Sequence, residues 1–309
     1  MKPRVSVLLW LVLLCAAPVF AARDAPPALL AQDAPAGKIL PRNFRTCAFP
    51  FRAHEGPAPS REGLDTLRIS GSAQFSPAQL DALAANLPGP VTMVDLRRES
   101  HGMLGDVAVS WYAPHNQGNP GLNAPAVAAA EAGQLAGIDE RPDVAVATRL
   151  DKASDGDKKA ATTAAMGPAA ARSEADTLAA RGLGTLRVAV SDHTRPDDAA
   201  VDRFVRFFRG LAPGVWLHFH CRAGQGRTTT FLAMADMLAN AGRVSCDDIL
   251  RRQWLLGGVD LTEVAGKKER AELARQRLEF LHRFYDYAKA NPGARPLLWS
   301  AWLAGQGRP

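Results

Sequence analysis

Apolar residues recur along this chain in short continuous runs that alternate with stretches of helical period. The runs are bounded by turn-forming residues and are typical of buried strands over 91–96, 186–190 and 215–220. Apolar positions spaced by three and four residues predict helices over 76–86, 173–180, 196–210, 228–241, 247–255 and 269–290. Strands that alternate with helices in this way predict an α/β fold, in which helices flank a central, mainly parallel sheet.

Capping residues and aromatic residues add detail to these elements. Ser76 precedes Pro77, and Ser173 precedes the next helix, as is typical of helix N-termini. The apolar stripe of the last helix is expected to face the core and consists of Phe280, Leu281, Phe284 and Tyr287. Trp299 and Trp302 are expected to anchor the C-terminal tail.

Two segments lack this alternation. Residues 22–40 are rich in Ala and Pro without an apolar period, which predicts a flexible lead-in. Residues 116–171 are rich in Ala, Gly and Asp with scattered Lys, which predicts a smaller inserted subdomain or a long excursion. A disordered segment is the alternative there. The chain from 41 to 309 is therefore expected to form one domain that carries this insertion.

The first 21 residues have the pattern of a secretory signal peptide. Lys2 and Arg4 precede an apolar run, and the small residues around Phe20 predict cleavage after Ala21. A membrane anchor is the alternative, but the run is shorter than the roughly 20 residues of a spanning helix and Pro18 interrupts it. We therefore expect a periplasmic or secreted protein without a stable membrane anchor.

Export changes the interpretation of the cysteines. Cys15 lies in the signal segment, where the large Leu14 before it disfavours lipoprotein processing. Cys47, Cys221 and Cys246 remain, and an odd number leaves at least one free thiol in a monomer. Whether Cys47 pairs with Cys246 stays open, because it depends on their separation in space.

Composition and charge exclude several classes of protein. Hydrophobic residues make up 47% of the 309 residues and charged residues 22%, which excludes a disordered or collagen-like chain. Loss of Lys2 and Arg4 with the signal segment lowers the net charge from +6 to +4. That charge is too small for a general nucleic-acid binder, although a local basic cluster around a small anion is compatible with it.

The segment from Trp216 to Thr228, WLHFHCRAGQGRT, has the pattern of a phosphate-binding loop with a nucleophile. An apolar strand ends at Cys221, and a helix starts directly after Arg227. Backbone N–H groups at a helix N-terminus form a cradle for phosphate, and Gly224 and Gly226 allow the unusual backbone angles that this requires. Arg227 can bind two phosphate oxygens at once, while the helix dipole favours the thiolate form of Cys221.

The alternative is a buried structural thiol beside an ordinary strand-to-helix turn. A Cys and an Arg five residues apart are weak evidence, since that spacing often arises by chance. The full string His-Cys-x-x-Gly-x-Gly-Arg-Thr in this context is far more specific. Arsenate reductases and sulfurtransferases also carry a lone loop cysteine, but their loops lack the Gly-x-Gly-Arg-Thr ending.

This string resembles the signature loop of the cysteine-based phosphatases of the protein-tyrosine-phosphatase superfamily. Further stretches narrow the resemblance to the bacterial protein-tyrosine-phosphatase-like phytases, which act on inositol polyphosphates. Those stretches are 43–46 (NFRT), 69–75 (ISGSAQF), 94–97 (VDLR), 99–102 (ESHG), 110–112 (SWY) and 191–193 (SDH). The resemblance runs from about residue 41 to 302 and is weakest across the insertion.

The resemblance implies roles for five residues. Cys221 would be the nucleophile, Arg227 the phosphate clamp and Thr228 a hydrogen-bond donor to the thiolate. His220 would orient the loop and tune the thiol. Asp192 would protonate the leaving oxygen and then activate water. From the residues alone, Asp192 is more readily interpreted as a turn or helix-capping residue before Pro196.

The resemblance also implies a set of substrate contacts. They comprise the loop residues Arg222, Ala223, Gly224, Gln225 and Gly226, with His193, Lys267, Lys268 and Arg270. Two positions depart from the family pattern, because Arg222 stands where a glutamate is frequent and Ala274 where a tyrosine is expected. The lysines and arginines have an alternative interpretation as a solvated helix face. Asp95, Arg97 and Glu99 are expected to form a structural ion-pair network beside the site.

These observations predict a phosphoric monoester hydrolase that uses no metal and no cofactor and acts on a small polyanion, an inositol polyphosphate. The alternative enzyme is a protein-tyrosine or dual-specificity phosphatase, which could be a secreted effector. A phosphate-binding module without turnover is the third hypothesis. The oligomeric state and the order of phosphate removal stay open.

Overall fold

The computed structural model describes residues 28–139, 141–153, 157–167, 170–293 and 297–306, so the predicted signal peptide lies outside the described residues. The strands are β1 (Leu29–Ala34), β2 (Arg45–Thr46), β3 (Ile69–Ala73), β4 (Val91–Arg97), β5 (His101–Leu104), β6 (Val107–Tyr112), β7 (Val144–Lys152), β8 (Lys158–Met166), β9 (Ala171–Arg172), β10 (Gly184–Val190) and β11 (Trp216–Cys221). The helices are α1 (Pro77–Asn86), α2 (Ala124–Asp139), α3 (Glu174–Ala179), α4 (Asp198–Arg209), α5 (Gly226–Asn240), α6 (Cys246–Leu255), α7 (Lys268–Ala290) and α8 (Trp299–Gly305).

The central sheet has the predicted, mainly parallel arrangement. Its strand order is β10-β4-β11-β3-β2, and only the short edge strand β2 runs antiparallel to its neighbour. In the register of β11, His220 lies between Asp95 of β4 and Ser72 of β3. The carboxyl ends of four parallel strands therefore meet at one edge, where ligands bind in sheets of this type.

Helices flank this sheet as the helical patterns predict. The core joins Phe204 of α4 to Phe219 of β11 and Phe231 of α5, with ring centroids 5.8 and 5.1 Å from that of Phe204. The predicted apolar stripe of α7 is buried, and Trp299 at 2% exposure packs against Phe280 and Phe284. α5 is buried almost throughout, so the segment after Cys221 leads into the centre of the domain.

Local capping agrees with the sequence. The Ser76 side chain accepts a hydrogen bond from the backbone N–H of Gln79, whose side chain accepts from the Ser76 N–H in return. Ser173 caps α3 in the same sense, accepting from the N–H of Asp176. Both helix starts are therefore confirmed.

The structure contains a second sheet, which the sequence analysis did not predict. Its strand order is β8-β7-β1-β6-β5-β9, with mostly antiparallel pairs. β1 lies inside the segment predicted as a flexible lead-in, which is wrong for Leu29–Ala34. The described residues of 116–171 form α2 and the β7–β8 hairpin, but β1, β5 and β6 come from before that segment. The second sheet is thus assembled from several parts of the chain rather than from the insertion alone.

Within the described residues, no helix has both the length and the apolar character that crossing a membrane requires.

Candidate active site

The segment that joins β11 to α5 is held tightly against the central sheet. Gly224 has φ +70°, and a Cβ atom there would lie 2.3 Å from the backbone of Ser72 and Ala73. The Gly224 carbonyl accepts a hydrogen bond from the buried Arg45 guanidinium at 2.8 Å. Gly226 lacks a positive φ, so the predicted reason for that glycine is wrong. A Cβ there would lie 3.2 Å from Nη1 of Arg277, a tight contact with the end of a flexible side chain.

Cys221 lies at the base of this loop and is 3% exposed. The Thr228 hydroxyl donates a hydrogen bond to its Sγ at 3.2 Å, as the resemblance implies. Gly226 begins α5 directly after the loop, so the positive end of the helix dipole lies beside the thiol. Cys47, Cys221 and Cys246 are all free thiols, so Cys47 and Cys246 are not paired in this structure.

Arg227 is buried and fixed by acceptors on Glu99, which lies between β4 and β5, and on Val190 of β10. Nη1 and Nη2 donate to the two carboxylate oxygens of Glu99 at 2.7 and 2.8 Å, and Nη1 also donates to the Val190 carbonyl at 3.0 Å. Burial raises the pKa of Glu99, but the guanidiniums of Arg227 and Arg97 outweigh it and hold that pKa well below its ordinary value. Nε of Arg227 has no hydrogen-bond partner among the described residues.

Asp192 follows β10 and faces Arg227. Its Oδ1 lies 3.4 Å from Nε of Arg227 and accepts from the backbone N–H of His193 at 3.0 Å. Its Oδ2 accepts from the Asn116 side chain at 2.7 Å. The carboxylate is 24% exposed, so it contacts both the buried arginine and solvent. Asn116 was missed by sequence reasoning, because no motif links it to Asp192.

A cavity of about 430 Å³, the Cys221 cavity, brings most of the predicted residues together. It is lined by the loop residues Cys221, Arg222, Ala223, Gln225 and Gly226, with Asp192, His193, Arg270, Lys158, His115 and Arg277. An adjoining cavity of about 530 Å³, the Lys267 cavity, shares His193, Arg270 and Lys158 and adds Lys152 and Lys267. Lys268 lines neither of these two cavities.

Sequence reasoning missed Lys158 and Arg277. Lys158 starts β8 in the alanine-rich segment, where no pattern distinguishes it from the neighbouring lysines. Burial lowers its pKa, and the positive charge of Arg222 lowers it further. Arg277 lies seven residues after Arg270, which puts both on one face of α7. That helical spacing was the signal that could have found it.

A buried network of charged groups lies behind the loop. Nε2 of His220 is 2.8 Å from Oε1 of Glu174, whose other oxygen accepts from Gln74 at 2.7 Å. Burial raises the pKa of Glu174, but His220 and His101 outweigh it and hold that pKa well below its ordinary value. Asp95, His101 and Glu174 are close enough to hold a metal ion, with ligand atoms within 4.8 Å of one another.

Arg187 supplies positive charge to that same network. Its Nε is 2.9 Å from Asp95, and its Nη1 donates to Glu131 at 2.9 Å. A separate cavity of about 610 Å³ between α2 and β10 borders these carboxylates and does not contain Cys221. Of the expected ion-pair network, the pair of Arg97 with Glu99 is present, whereas Asp95 forms its arginine ion pair with Arg187 instead of with Arg97.

A family model of protein-tyrosine-phosphatase-like phytases matches residues 177–239, and the description of that family reads inositol hexakisphosphate. Among curated proteins, the effector protein hopD2 of Pseudomonas syringae pv. tomato is 32% identical over 250 residues, which are 78% of this chain and 52% of that protein. An uncharacterised protein, AvrBs1.1 of Xanthomonas campestris pv. campestris, is 46% identical over 98 residues, which are 31% of this chain and 94% of that protein.

Solved structures of similar fold include two of protein-tyrosine-phosphatase-like phytases. The tandemly repeated phytase of Mitsuokella multacida has a TM-score of 0.83 and 35% identity, covering 91% of this chain and 50% of that one. The phosphatase of the same organism was also solved in complex with myo-inositol-(1,3,4,5)-tetrakisphosphate. The phytase of Bdellovibrio bacteriovorus has a TM-score of 0.71 and 33% identity, covering 93% of this chain and 100% of that one. This chain thus spans about half the length of hopD2 and of the tandem phytase.

Proposed function

The chain belongs to the family of protein-tyrosine-phosphatase-like phytases, and from this premise we propose that it hydrolyses phosphate monoesters of myo-inositol hexakisphosphate and lower inositol polyphosphates. The observation that carries the proposal is the cavity that Cys221 and Asp192 share with Lys158, Arg222 and Arg270. A nucleophile, a proton donor and several cations around one opening suit a substrate with many phosphates.

In the first proposed step, the Cys221 thiolate attacks phosphorus and the bond from phosphorus to the inositol oxygen breaks. Backbone N–H groups of residues 222–226 and Nε of Arg227, which makes no hydrogen bond among the described residues, would stabilise the charge on the phosphoryl oxygens. Asp192 would give its proton to the departing inositol oxygen. The products of this step are a phosphocysteine and an inositol with one phosphate fewer. Residues 221–227 are called the phosphate loop from here on.

In the second proposed step, water attacks the phosphocysteine. Asp192, now ionised, would accept the proton of that water, and the sulfur would leave as a thiolate. The Thr228 hydroxyl, 3.2 Å from Sγ, would stabilise the thiolate as it leaves. Inorganic phosphate is released, and Asp192 regains the proton that it gave up in the first step. His220, hydrogen-bonded to Glu174, would orient the loop from behind.

The test compares phosphate release from phytate and from a phosphotyrosine peptide, without added divalent metal. Cys221→Ser is the inactive variant, and Cys246→Ser is the matched control because that thiol lies on α6 outside the cavity. We expect faster release from phytate, lost in Cys221→Ser by at least about 10³-fold and kept in Cys246→Ser. No release from phytate by the unaltered protein would overturn the proposal.

The similarity to an effector protein favours a second candidate function, a secreted phosphatase of phosphoproteins. A faster reaction with the phosphotyrosine peptide in the same experiment would support it. Binding of both substrates without turnover of either would instead support the phosphate-binding module.

Export is part of this proposal and rests on the pattern of residues 1–21. Sequencing the N-terminus of protein recovered from the periplasm and from the medium tests it. Cleavage after Ala21 is the expected result, and an intact N-terminus in the cytoplasm contradicts it.

A further inference from the structure

Arg45 is a buried cation that forms no ion pair with an acidic residue among the described residues. Its side chain belongs to β2, and the residue is 2% exposed. In the part of the chain that the structure describes, three other arginines are buried to a similar degree, and each of them pairs with a buried carboxylate: Arg97, Arg227 and Arg252. Because a buried charge without an opposite charge is unfavourable, an anion close to Arg45 would be strongly stabilised.

The hydrogen-bond acceptors of Arg45 among the described residues are all neutral. Nη1 donates to the carbonyls of Asn43 and Gly224 at 2.9 and 2.8 Å, and Nη2 donates to the hydroxyl of Thr229 at 3.1 Å. Nε has no hydrogen-bond partner within the described residues. The guanidinium is therefore fixed in position without being neutralised.

Ionised Cys221 is a negative charge that acts on Arg45. Burial lowers the pKa of Arg45 to about 10, ionised Cys221 offsets part of that effect, and the positive charge of Arg52 strengthens it. At neutral pH the guanidinium still carries its charge. Because a Coulomb interaction is mutual, Arg45 in turn stabilises an anion at Cys221.

Arg45 also fixes the orientation of one peptide group of the phosphate loop. The C=O and N–H of a planar trans peptide point in opposite directions, so the bond from Arg45 to the Gly224 carbonyl turns the Gln225 N–H away from Arg45. Gln225 lines the Cys221 cavity, whereas Arg45 does not. The position of Arg45 is therefore behind the loop, on the side away from the substrate.

We propose that Arg45 is a positioning residue of the phosphate loop, which supplies a buried positive charge behind Cys221 and keeps the Gln225 N–H directed toward the phosphoryl group. The inference deepens the proposed function and rests on it for the identity of the anion, which is the thiolate before the first step and the phosphocysteine after it. Arg45 does not contact the substrate, and its effect passes through the loop.

The experiment uses two alkylating reagents that differ in charge. The Cys221 thiolate displaces iodide from iodoacetate, which is an anion, and from iodoacetamide, which is neutral. The ratio of the two rates reports the electrostatic potential at the sulfur, because the fraction of thiolate cancels in the ratio. Labelling is followed by mass spectrometry of the peptide that contains Cys221, in a Cys246→Ser background that removes the half-buried thiol of α6.

Three variants separate the charge of Arg45 from its shape. Arg45→Gln removes the charge and keeps an N–H donor, and Arg45→Lys keeps the charge. Arg52→Met is the matched control, because Arg52 is exposed and lines neither the Cys221 nor the Lys267 cavity. We expect the ratio of the iodoacetate rate to the iodoacetamide rate to fall at least about 5-fold in Arg45→Gln and to change less than about 2-fold in the other two variants. The concentration of inorganic phosphate that half-protects Cys221 from iodoacetamide should also rise at least about 5-fold in Arg45→Gln.

Two results would overturn the inference. If both rates fell equally in Arg45→Gln, so that their ratio stayed the same, Arg45 would only support the fold. If the ratio fell by the same factor in Arg45→Gln and in Arg45→Lys, the shape of the side chain would matter and its charge would not.

The unaltered protein provides a second measurement, which decides the matter if Arg45→Gln does not fold. In 1 M sodium chloride the Debye length is about 3 Å, so exposed cations act weakly at Cys221, whereas a buried charge is screened much less. A preference for iodoacetate that remains above that of free cysteine in this salt supports the inference. A preference equal to that of free cysteine overturns it.

The labelling experiment needs no turnover, which separates this inference from the proposed function. If the unaltered protein releases no phosphate from phytate but the ratio falls in Arg45→Gln, the proposed function fails and the charge of Arg45 still acts at Cys221. If phytate is hydrolysed and the ratio is the same in Arg45→Gln, the inference fails alone.

Discussion

Asp33 accepts a hydrogen bond from Nε of Arg222 at 2.6 Å, which ties β1 of the second sheet to the phosphate loop. Its other oxygen accepts from Arg97 at 2.7 Å, and Nε of Arg97 donates to Glu99 at 2.9 Å. Glu99 in turn holds Arg227. One buried chain of alternating charges therefore fixes the arginines near both ends of the loop.

Replacement of Asp33 with Asn is expected to destabilise the protein by about 3 kcal/mol, the usual cost of leaving a buried charge without its partner. Burial raises the pKa of Asp33, but Arg97 and Arg222 outweigh it and lower that pKa, so the carboxylate is charged at neutral pH. Urea unfolding measures the change. Asp65→Asn, which removes an exposed partner of Arg61, is the control and should cost less than about 1 kcal/mol. Equal midpoints for the two variants would contradict the structural role of Asp33.

The contrast between β11 and β1 explains which parts of the fold the sequence could predict. β11 is a mainly apolar run that ends in a motif, and this pattern alone is sufficient to predict the strand. β1 contains Gln32 and Asp33 among leucines and alanines, and its strand conformation depends on β6 and β7, which lie far along the chain. The alanine-rich β8 is largely exposed and shows neither alternation nor strong strand propensity. Pairing between distant segments determined these strands, and no local pattern encodes it.

The residues of the site likewise differ in how far the sequence predicts them. Cys221, Arg227 and Thr228 lie in one contiguous motif, so their proximity follows from the sequence. Asp192 was identified only through the family resemblance, because a carboxylate before Pro196 has an ordinary capping interpretation. Asn116, which donates to Asp192 at 2.7 Å, comes from a segment without any motif.

Asp192→Asn tests the proton-transfer role. We expect the turnover of phytate to fall about 10²- to 10⁴-fold, the range for loss of a general acid. Turnover of p-nitrophenyl phosphate should fall much less, because nitrophenolate leaves without a proton more readily than an inositol alkoxide. Asp106→Asn, an exposed change between β5 and β6, is the control. A similar loss on both substrates would indicate that Asp192 acts on the loop rather than on the leaving group.

Because His218 is buried, we expect the protein to lose stability in acid. Its ring nitrogens lie 2.9 Å from the hydroxyls of Ser70 and Ser72, and burial, with the charges of His220 and Arg45, holds the pKa of His218 well below its ordinary value. The unfolded chain binds a proton near pH 6.5 and the folded chain does not, so folding free energy is lost as the pH falls below that value. The slope for one proton reaches about 1.4 kcal/mol per pH unit.

Urea unfolding between pH 5 and 7 measures that slope in the unaltered protein and in His218→Gln. The slope of the variant should be smaller by the contribution of one proton, because any other titrating group contributes equally in both proteins. His282→Gln, an exposed change on α7, should leave the slope as it is. A slope that is the same in His218→Gln would show that His218 is protonated in the folded protein.

Two glycine-to-alanine changes should alter the free energy of unfolding in opposite directions. At Gly224, the backbone has φ +70°, and the new Cβ would lie 2.3 Å from the backbone of Ser72 and Ala73, which cannot rotate away. The loop must then leave β3 and lose the Arg45 hydrogen bond to its carbonyl, so we expect a loss of at least about 2 kcal/mol and of phosphate release. At Gly133 in α2, no atom lies within 4 Å of the new Cβ, and alanine should stabilise the helix by about 0.5–1 kcal/mol. Thermal unfolding measures the change in stability of both variants, and phosphate release measures their activity. An active, fully stable Gly224→Ala would contradict the close approach of the phosphate loop to β3.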